Sequence, residues 1–190
     1  MKIALAQVNP TIGDIDGNVG SVMARLVEAE AASADLVVFP EQSILGYPAK
    51  DLVLRREVIE RNLNALARLT ARTRATAVLI GFAEPRYGRP GRALFNSAAL
   101  LHNGKEIGRW RKQLLPTYDV FDEGRYFEPA EAQGVIEFAG RRMGVTICED
   151  LLWDECFGQT LYRRDPAADL GRAGADLVIN LSASPYWQDK

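Results

Sequence analysis

Three residues with useful chemistry each follow an apolar run. Glu41 follows Val37-Val38-Phe39-Pro40, Lys112 follows Ile107–Arg111, and Cys148 follows Met143–Ile147. A fourth run, Leu177–Leu181, ends near Ser182 and Ser184. In open α/β sheets ligands bind beyond strand ends, above all the carboxyl ends, so a carboxylate, an ammonium and a thiol are expected to converge at one edge. The chemistry is coherent. A free thiol has a pKa near ~8.5 and is mostly protonated at neutral pH. A nearby carboxylate can take its proton as attack begins, and an ammonium close to both lowers the thiol pKa and stabilises an oxyanion. If the Cys148 strand turns into a helix, the backbone N–H groups that follow add another oxyanion donor. The outcome is acyl transfer through a thioester, which water resolves with Glu41 again as general base.

The scarcity of other groups narrows the field. His102 is the one histidine, and Cys148 and Cys156 are the two cysteines. Their number and spacing fit no structural zinc site and no disulfide framework, so no metal and a reducing, cytoplasmic compartment are expected. His102 lies in LLHNGKEIG beside an Asn103-Gly104 hairpin turn and reads as a solvated surface residue, so the base is expected not to be histidine. Cys156 reads as a helix-packing residue. Arg86, Arg89 and Arg92 read as a solvated loop.

The elements that must position these residues follow from pattern. Residues 2–9 read as a buried first strand. Asn18 is placed to cap a helix over about 19–33, and a second helix fits about 54–73. Residues 35–39 form a short strand apolar on both faces, stopped by Pro40. Further strands are predicted at 76–82, 95–101, 106–112, 135–138, 142–147 and 176–181, with hairpin turns at Asn103-Gly104 and Ala139-Gly140 and helices after Cys148 and at about 166–173. Helices alternate with strands early and hairpins interrupt later, which predicts an α/β protein with mixed sheets.

Composition sets the outer bounds. The 190 residues carry 23 Lys+Arg against 25 Asp+Glu, a net charge of −2, and 47% are hydrophobic. That excludes disordered, collagen-like and coiled-coil classes and suits one domain with a sizeable core. Near neutrality gives no reason to invoke nucleic acid or a membrane surface, and no apolar run approaches the roughly 18 residues of a membrane span. The first residues read as a strand and loop, not a secretory signal.

Five segments carry a resemblance: MKIALAQVNPTIGDIDGN, LVVFPEQSILGYPAKDL, RKQLLPTYDVFDEGRYF, MGVTICEDLLW and VINLSASPYW. Together they resemble the nitrilase superfamily of carbon–nitrogen hydrolases, whose members share a Glu-Lys-Cys triad on an α-β-β-α sandwich. Within it they are most similar to the N-terminal glutaminase domains of glutamine-dependent NAD synthetases. Gly46-Tyr47-Pro48 with Asp51-Leu52, the run from Lys112 through Leu115-Pro116, Tyr118 and Val120 to Glu123, and Cys148-Glu149-Asp150 point to that branch.

The resemblance implies that Glu41 is the general base, Lys112 the oxyanion-stabilising cation and Cys148 the nucleophile. It implies that Tyr47 and Tyr118 lie near the glutamine site, that Phe121 and Glu149 shape or polarise it, and that Ser184 binds the amino-acid end of glutamine. A second glutamate near the lysine is common in the superfamily, and Glu123 and Asp122 both remain open for that place. Glutamine hydrolysis would need no cofactor. ATP, Mg and deamido-NAD would belong to a synthetase domain whose SGG-type loop this sequence lacks. The family commonly forms homo-oligomers. Residues 1–190 are therefore expected to be one nitrilase-like domain, incomplete at its C-terminal side. Two other readings stay open: a stand-alone amidase acting on another small amide, and an inactive fragment or binding module.

Overall fold

A computed structural model describes residues 1–88, 90–151 and 162–184 of the chain. Its regular elements are β1 (Ile3–Leu5), α1 (Ile15–Ala31), β2 (Leu36–Val38), α2 (Arg56–Arg72), β3 (Ala77–Pro85), β4 (Leu94–His102), β5 (Lys105–Arg111), β6 (Ile136–Phe138), β7 (Arg141–Ile147), α3 (Pro166–Arg172) and β8 (Leu177–Leu181). β1 to β5 form one sheet in sequence order, and β6, β7 and β8 form a second. β1, β2 and β3 run parallel, while β4 and β5 add antiparallel strands. The second sheet pairs β6 antiparallel and β8 parallel to β7. Both sheets are mixed, as the alternation of helices and hairpins predicts.

The layering follows from side-chain alternation. Val37, Val78, Ile80 and Phe82 join Val22 and Leu26 of α1 and Leu66 and Leu69 of α2 in one core. Their strand neighbours Leu36, Val38, Ala77, Leu79, Ala98 and Leu100 point the other way, onto Met143, Val145, Ile147 and Ile179 of the second sheet. Strands covered on both faces must be apolar at nearly every position, which is why they read as continuous hydrophobic runs. α3 closes the far side, with Leu170 packed over Gly144 of β7. The order helices, sheet, sheet, helix is the α-β-β-α sandwich.

Some local details depart from the sequence reading. The first strand spans only three residues at the edge of its sheet, and Leu5 is 78% exposed instead of buried. α1 is capped by Asp14, whose carboxylate accepts the Gly17 N–H at 3.0 Å; Asn18 lies within the helix. The Asn18 side chain is buried and donates to Thr11 O and Ile44 O, latching two loops together. His102 is half-buried, edge-on to Phe138, with Nε2 3.2 Å from Ala75 O. Arg86 bonds the Pro90 carbonyl and Arg92 the Gly124 carbonyl, so these two arginines pin their loop; Arg89 lies outside the described residues. After Cys148 the described chain makes a 3-10 turn, Cys148–Leu151, and the remainder of the segment where a helix is expected, with Cys156, lies outside the described residues. Among the described residues no helix is long and apolar enough to cross a membrane.

Candidate active site

Glu41 reaches the site through a tight turn after β2. Phe39 still donates to Leu79 O on β3, and Gln42 then takes a left-handed conformation with φ 48°. The turn lies directly on β3, where a Cβ on Gly81 would sit 2.8 Å from Glu41 Cα and collide with the Gln42 nitrogen. Only glycine permits that approach. Glu41 is 1% exposed.

Lys112 is the first residue after β5. Its N–H donates to Asn96 O at 2.8 Å, and its carbonyl accepts the Ala130 N–H at 3.0 Å. Its fully buried ammonium donates to Glu41 Oε1 at 2.8 Å and to Glu123 Oε1 at 2.7 Å. Burial opposes the lysine charge, but the two carboxylates outweigh it and hold the ammonium well above the ordinary lysine range. Glu123 shifts upward, because burial and the Glu41 charge together exceed the pull of Lys112. It also accepts the Tyr47 hydroxyl at 2.8 Å and faces the Asn96 amide at 3.4 Å. The two acids left open by the sequence are thereby separated. Asp122 instead bonds the exposed ammonium of Lys50 at 2.8 Å, away from Lys112.

Cys148 follows β7 in a left-handed conformation, φ 47°, which costs a non-glycine residue about 1–2 kcal/mol. A strained residue persists where its surroundings over-determine it, and Asp150 supplies that constraint. The buried Asp150 carboxylate accepts the N–H groups of Gln113 at 2.9 Å, Leu114 at 2.8 Å and Ile147 at 3.0 Å. Burial pushes its carboxyl up to about 6 against those three bonds. The Cys148 thiol is buried and pushed up to about 11, first by burial and then by the Glu41 charge; Lys112 and a hydrogen bond from Ser182 pull the other way. At rest it is a neutral thiol within reach of a carboxylate's field.

The remaining sequence-predicted residues form the walls. Tyr118 donates its hydroxyl to both Glu149 oxygens at 2.9 Å, and Tyr162 donates to the same carboxylate at 2.9 Å. Phe121 packs between Tyr47 and Tyr118, with ring centres 6.4 and 5.6 Å away. Ser184 lies with Glu41, Tyr47, Asn9 and Ser182 around a cavity of about 390 Å³. The structure thus gathers Glu41, Lys112, Tyr47 and Glu123 in one network, sets Cys148 in its field, and forms an aromatic and acidic wall from Tyr118, Phe121 and Glu149. Asn96 and Asp150 were not singled out as site residues by the sequence. The available signal was a polar residue inside a strand apolar on both faces, and a second acid beside the cysteine turn.

Residues 2–190 match the carbon–nitrogen hydrolase family. A glutamine-dependent NAD(+) synthetase of Synechocystis sp. is 45% identical over 97% of this chain, which covers 34% of that protein. The corresponding Thermotoga maritima synthetase is 39% identical over 98% of the chain and 30% of its own length. The chain therefore spans about a third of the curated relatives it matches. Among solved structures, glutamine-dependent NAD+ synthetase from Acinetobacter baumannii, in complex with ADP, superposes with a TM-score of 0.86 at 36% identity, over 97% of this chain and 32% of that one. An amidase from Nesterenkonia sp. shares the fold, with a TM-score of 0.81 at 23% identity over 99% of this chain and 66% of that one. Its sandwich fold and its match along nearly its whole length identify the chain as a member of the carbon–nitrogen hydrolase family.

Proposed function

We propose that this chain is the glutamine-hydrolysing part of a glutamine-dependent NAD synthetase. The observation that carries the reading is the buried network of Glu41 and Lys112 set against the Cys148 thiol. The likeness to NAD synthetases of two bacteria over nearly the whole chain supports glutamine as the amide.

In this reading Cys148 Sγ attacks the side-chain amide carbon of glutamine while its proton passes to Glu41. The new C–S bond places negative charge on the amide oxygen, which the Lys112 ammonium stabilises. The C–N bond then breaks as Glu41 returns the proton to the departing nitrogen, releasing ammonia and leaving a thioester. A water attacks the thioester carbon, Glu41 takes its proton, and the C–S bond breaks to give glutamate and restore the thiol. Glu149, held by Tyr118, gives the pocket a negative group suited to the α-ammonium of glutamine. Ser184 offers a hydroxyl for its other polar end, and Tyr47 and Phe121 line its aliphatic stem.

The ammonia would amidate deamido-NAD in an ATP- and Mg-dependent step in a part of such synthetases beyond this chain. Residues 1–190 would then belong to the nitrilase-like domain of a cytoplasmic homo-oligomer. The test is intact-protein mass after treatment with 6-diazo-5-oxo-norleucine, a glutamine-like electrophile. One adduct is expected, blocked by glutamine and absent in Cys148→Ala. A folded protein that takes no adduct overturns the reading. An adduct with a small neutral amide analogue that glutamine does not block assigns another amide as substrate.

A further inference from the structure

β4 carries two adjacent polar residues, Asn96 and Ser97, inside a strand buried on both faces. Successive strand residues point to opposite faces, so each must find its own buried partner. Ser97 donates to Glu84 Oε2 at 2.7 Å, in a cluster with Arg109 and Arg111. Asn96 turns the other way, into the seam between the sheets, and donates from Nδ2 to Glu41 Oε1 at 2.7 Å and to Glu123 Oε2 at 3.4 Å. Its Oδ1 has no hydrogen-bond partner among the described residues, so the amide is committed through its nitrogen.

The two oxygens of Glu41 are consequently unequal. Oε1 takes both Asn96 Nδ2 and Lys112 Nζ, at 2.7 and 2.8 Å. Among the described residues Oε2 faces one backbone donor, Ala183 N–H, at 3.2 Å. An oxygen that already accepts two short bonds, one of them charge-assisted, is the poorer proton acceptor. Resting on the function proposed above, we infer that Asn96 is a positioning residue that occupies Glu41 Oε1, leaves Oε2 as the basic oxygen, and bridges the two carboxylates on either side of Lys112. Asparagine suits the place because its two amide hydrogens serve two carboxylates without adding charge. An aspartate there would put a third anion beside two others.

The titratable groups around the Glu41 carboxylate are Lys112 after β5, Glu123 from the following loop, Cys148 at the end of β7 and Tyr47 from the loop after β2. None of them changes in the variants tested. The experiment measures 6-diazo-5-oxo-norleucine inactivation of the intact protein as a function of pH, separating the maximal rate from the half-saturating concentration. Asn96→Ala is expected to lower the maximal rate about 100-fold with half-saturation within threefold. Asn96→Asp keeps the shape and can donate only when protonated. It should be slower than Asn96→Ala at pH 8 and faster at pH 6. Ser97→Ala, on the opposite face of the same strand, should lower the melting temperature while leaving the maximal rate within threefold of wild type.

A folded Asn96→Ala with a wild-type maximal rate overturns the inference. If that variant does not fold, an Asn96→Asp profile parallel to wild type overturns it equally. A wild-type protein that takes no adduct at Cys148 overturns the proposed function instead, so the two failures are distinct.

Discussion

Asp150 Oδ1 accepts the backbone N–H of Gln113 at 2.9 Å, which ties the residue after Lys112 to the turn that carries Cys148. The lysine follows a strand of the first sheet and the cysteine a strand of the second, so this bond spans the seam across which the proposed chemistry would run. Because the carboxyl is pushed up to about 6 from its ordinary 3.8, the folded state holds its proton more tightly than the unfolded chain does. Its contribution to stability therefore grows as pH falls from about 6 towards 4 and is smallest above 6. Asp150→Asn should lower stability by about 1–3 kcal/mol, by leaving the Ile147 N–H without an acceptor. The gap to wild type in urea unfolding should widen as pH falls from 6 to 4. A gap that stays constant with pH would sink this account.

The neutral Cys148 thiol predicts an unusual alkylation profile. With the thiol pushed up to about 11, the iodoacetamide rate of the folded protein should rise about tenfold per pH unit from 7 to 9.5. A plateau by pH 9 would mean an ordinary thiol and a different activation mechanism.

Gly81 makes room for the Glu41 turn, so Gly81→Ala must push that turn away from β3. Overpacking of this kind costs about 1–3 kcal/mol, and displacing Glu41, the base of the proposed reaction, should slow 6-diazo-5-oxo-norleucine labelling at least 100-fold. Gly134→Ala, where an added Cβ meets nothing within 4 Å, is the matched control and should change neither quantity. Equal effects of the two substitutions would remove the special role of Gly81.

Tyr118 holds Glu149 through a hydroxyl that reaches both carboxylate oxygens. Tyr118→Phe keeps the ring against Phe121 and loses that bond. The glutamine concentration needed to protect Cys148 should rise about tenfold, roughly the value of one bond to a charged group. Direct iodoacetamide alkylation should not change. Unchanged protection would dissociate Glu149 from glutamine binding.

Much of this was legible because burial on both faces leaves a plain sequence trace. Leu36–Val38 and Ala77–Phe82 stand out as uninterrupted apolar runs, and Glu41, Lys112 and Cys148 stand out as the reactive residues that follow such runs. What stayed hidden acts through tertiary pairing. Among the described residues Asp150 bonds only backbone N–H groups, whose neighbourhood no side-chain pattern reveals. Asn96 bonds a carboxylate 55 residues away. Asn18 and Asp14 are both good capping residues, and the choice between them fell to tertiary contacts, since Asn18 is drawn inward by Thr11 and Ile44. Arg86 and Arg92 sit in a run of charge that resembles a solvated loop until their carbonyl partners are known.

The division of the reactive groups between two sheets also governs when reactivity can arise during folding. Glu41 and Lys112 are brought together by β2, β3, β4 and β5, whereas Cys148 arrives only when β7 docks its Met143–Val145–Ile147 face onto the first sheet. That docking joins residues more than a hundred positions apart, the type of contact that forms late and slowly. A chain caught before it holds the Glu41–Lys112 pair without its thiol, and under the proposed function that pair alone cuts no amide. Under that proposal amide cleavage would report the closure of the sandwich itself, and a nascent or partly unfolded molecule would spare the cell's amides by construction.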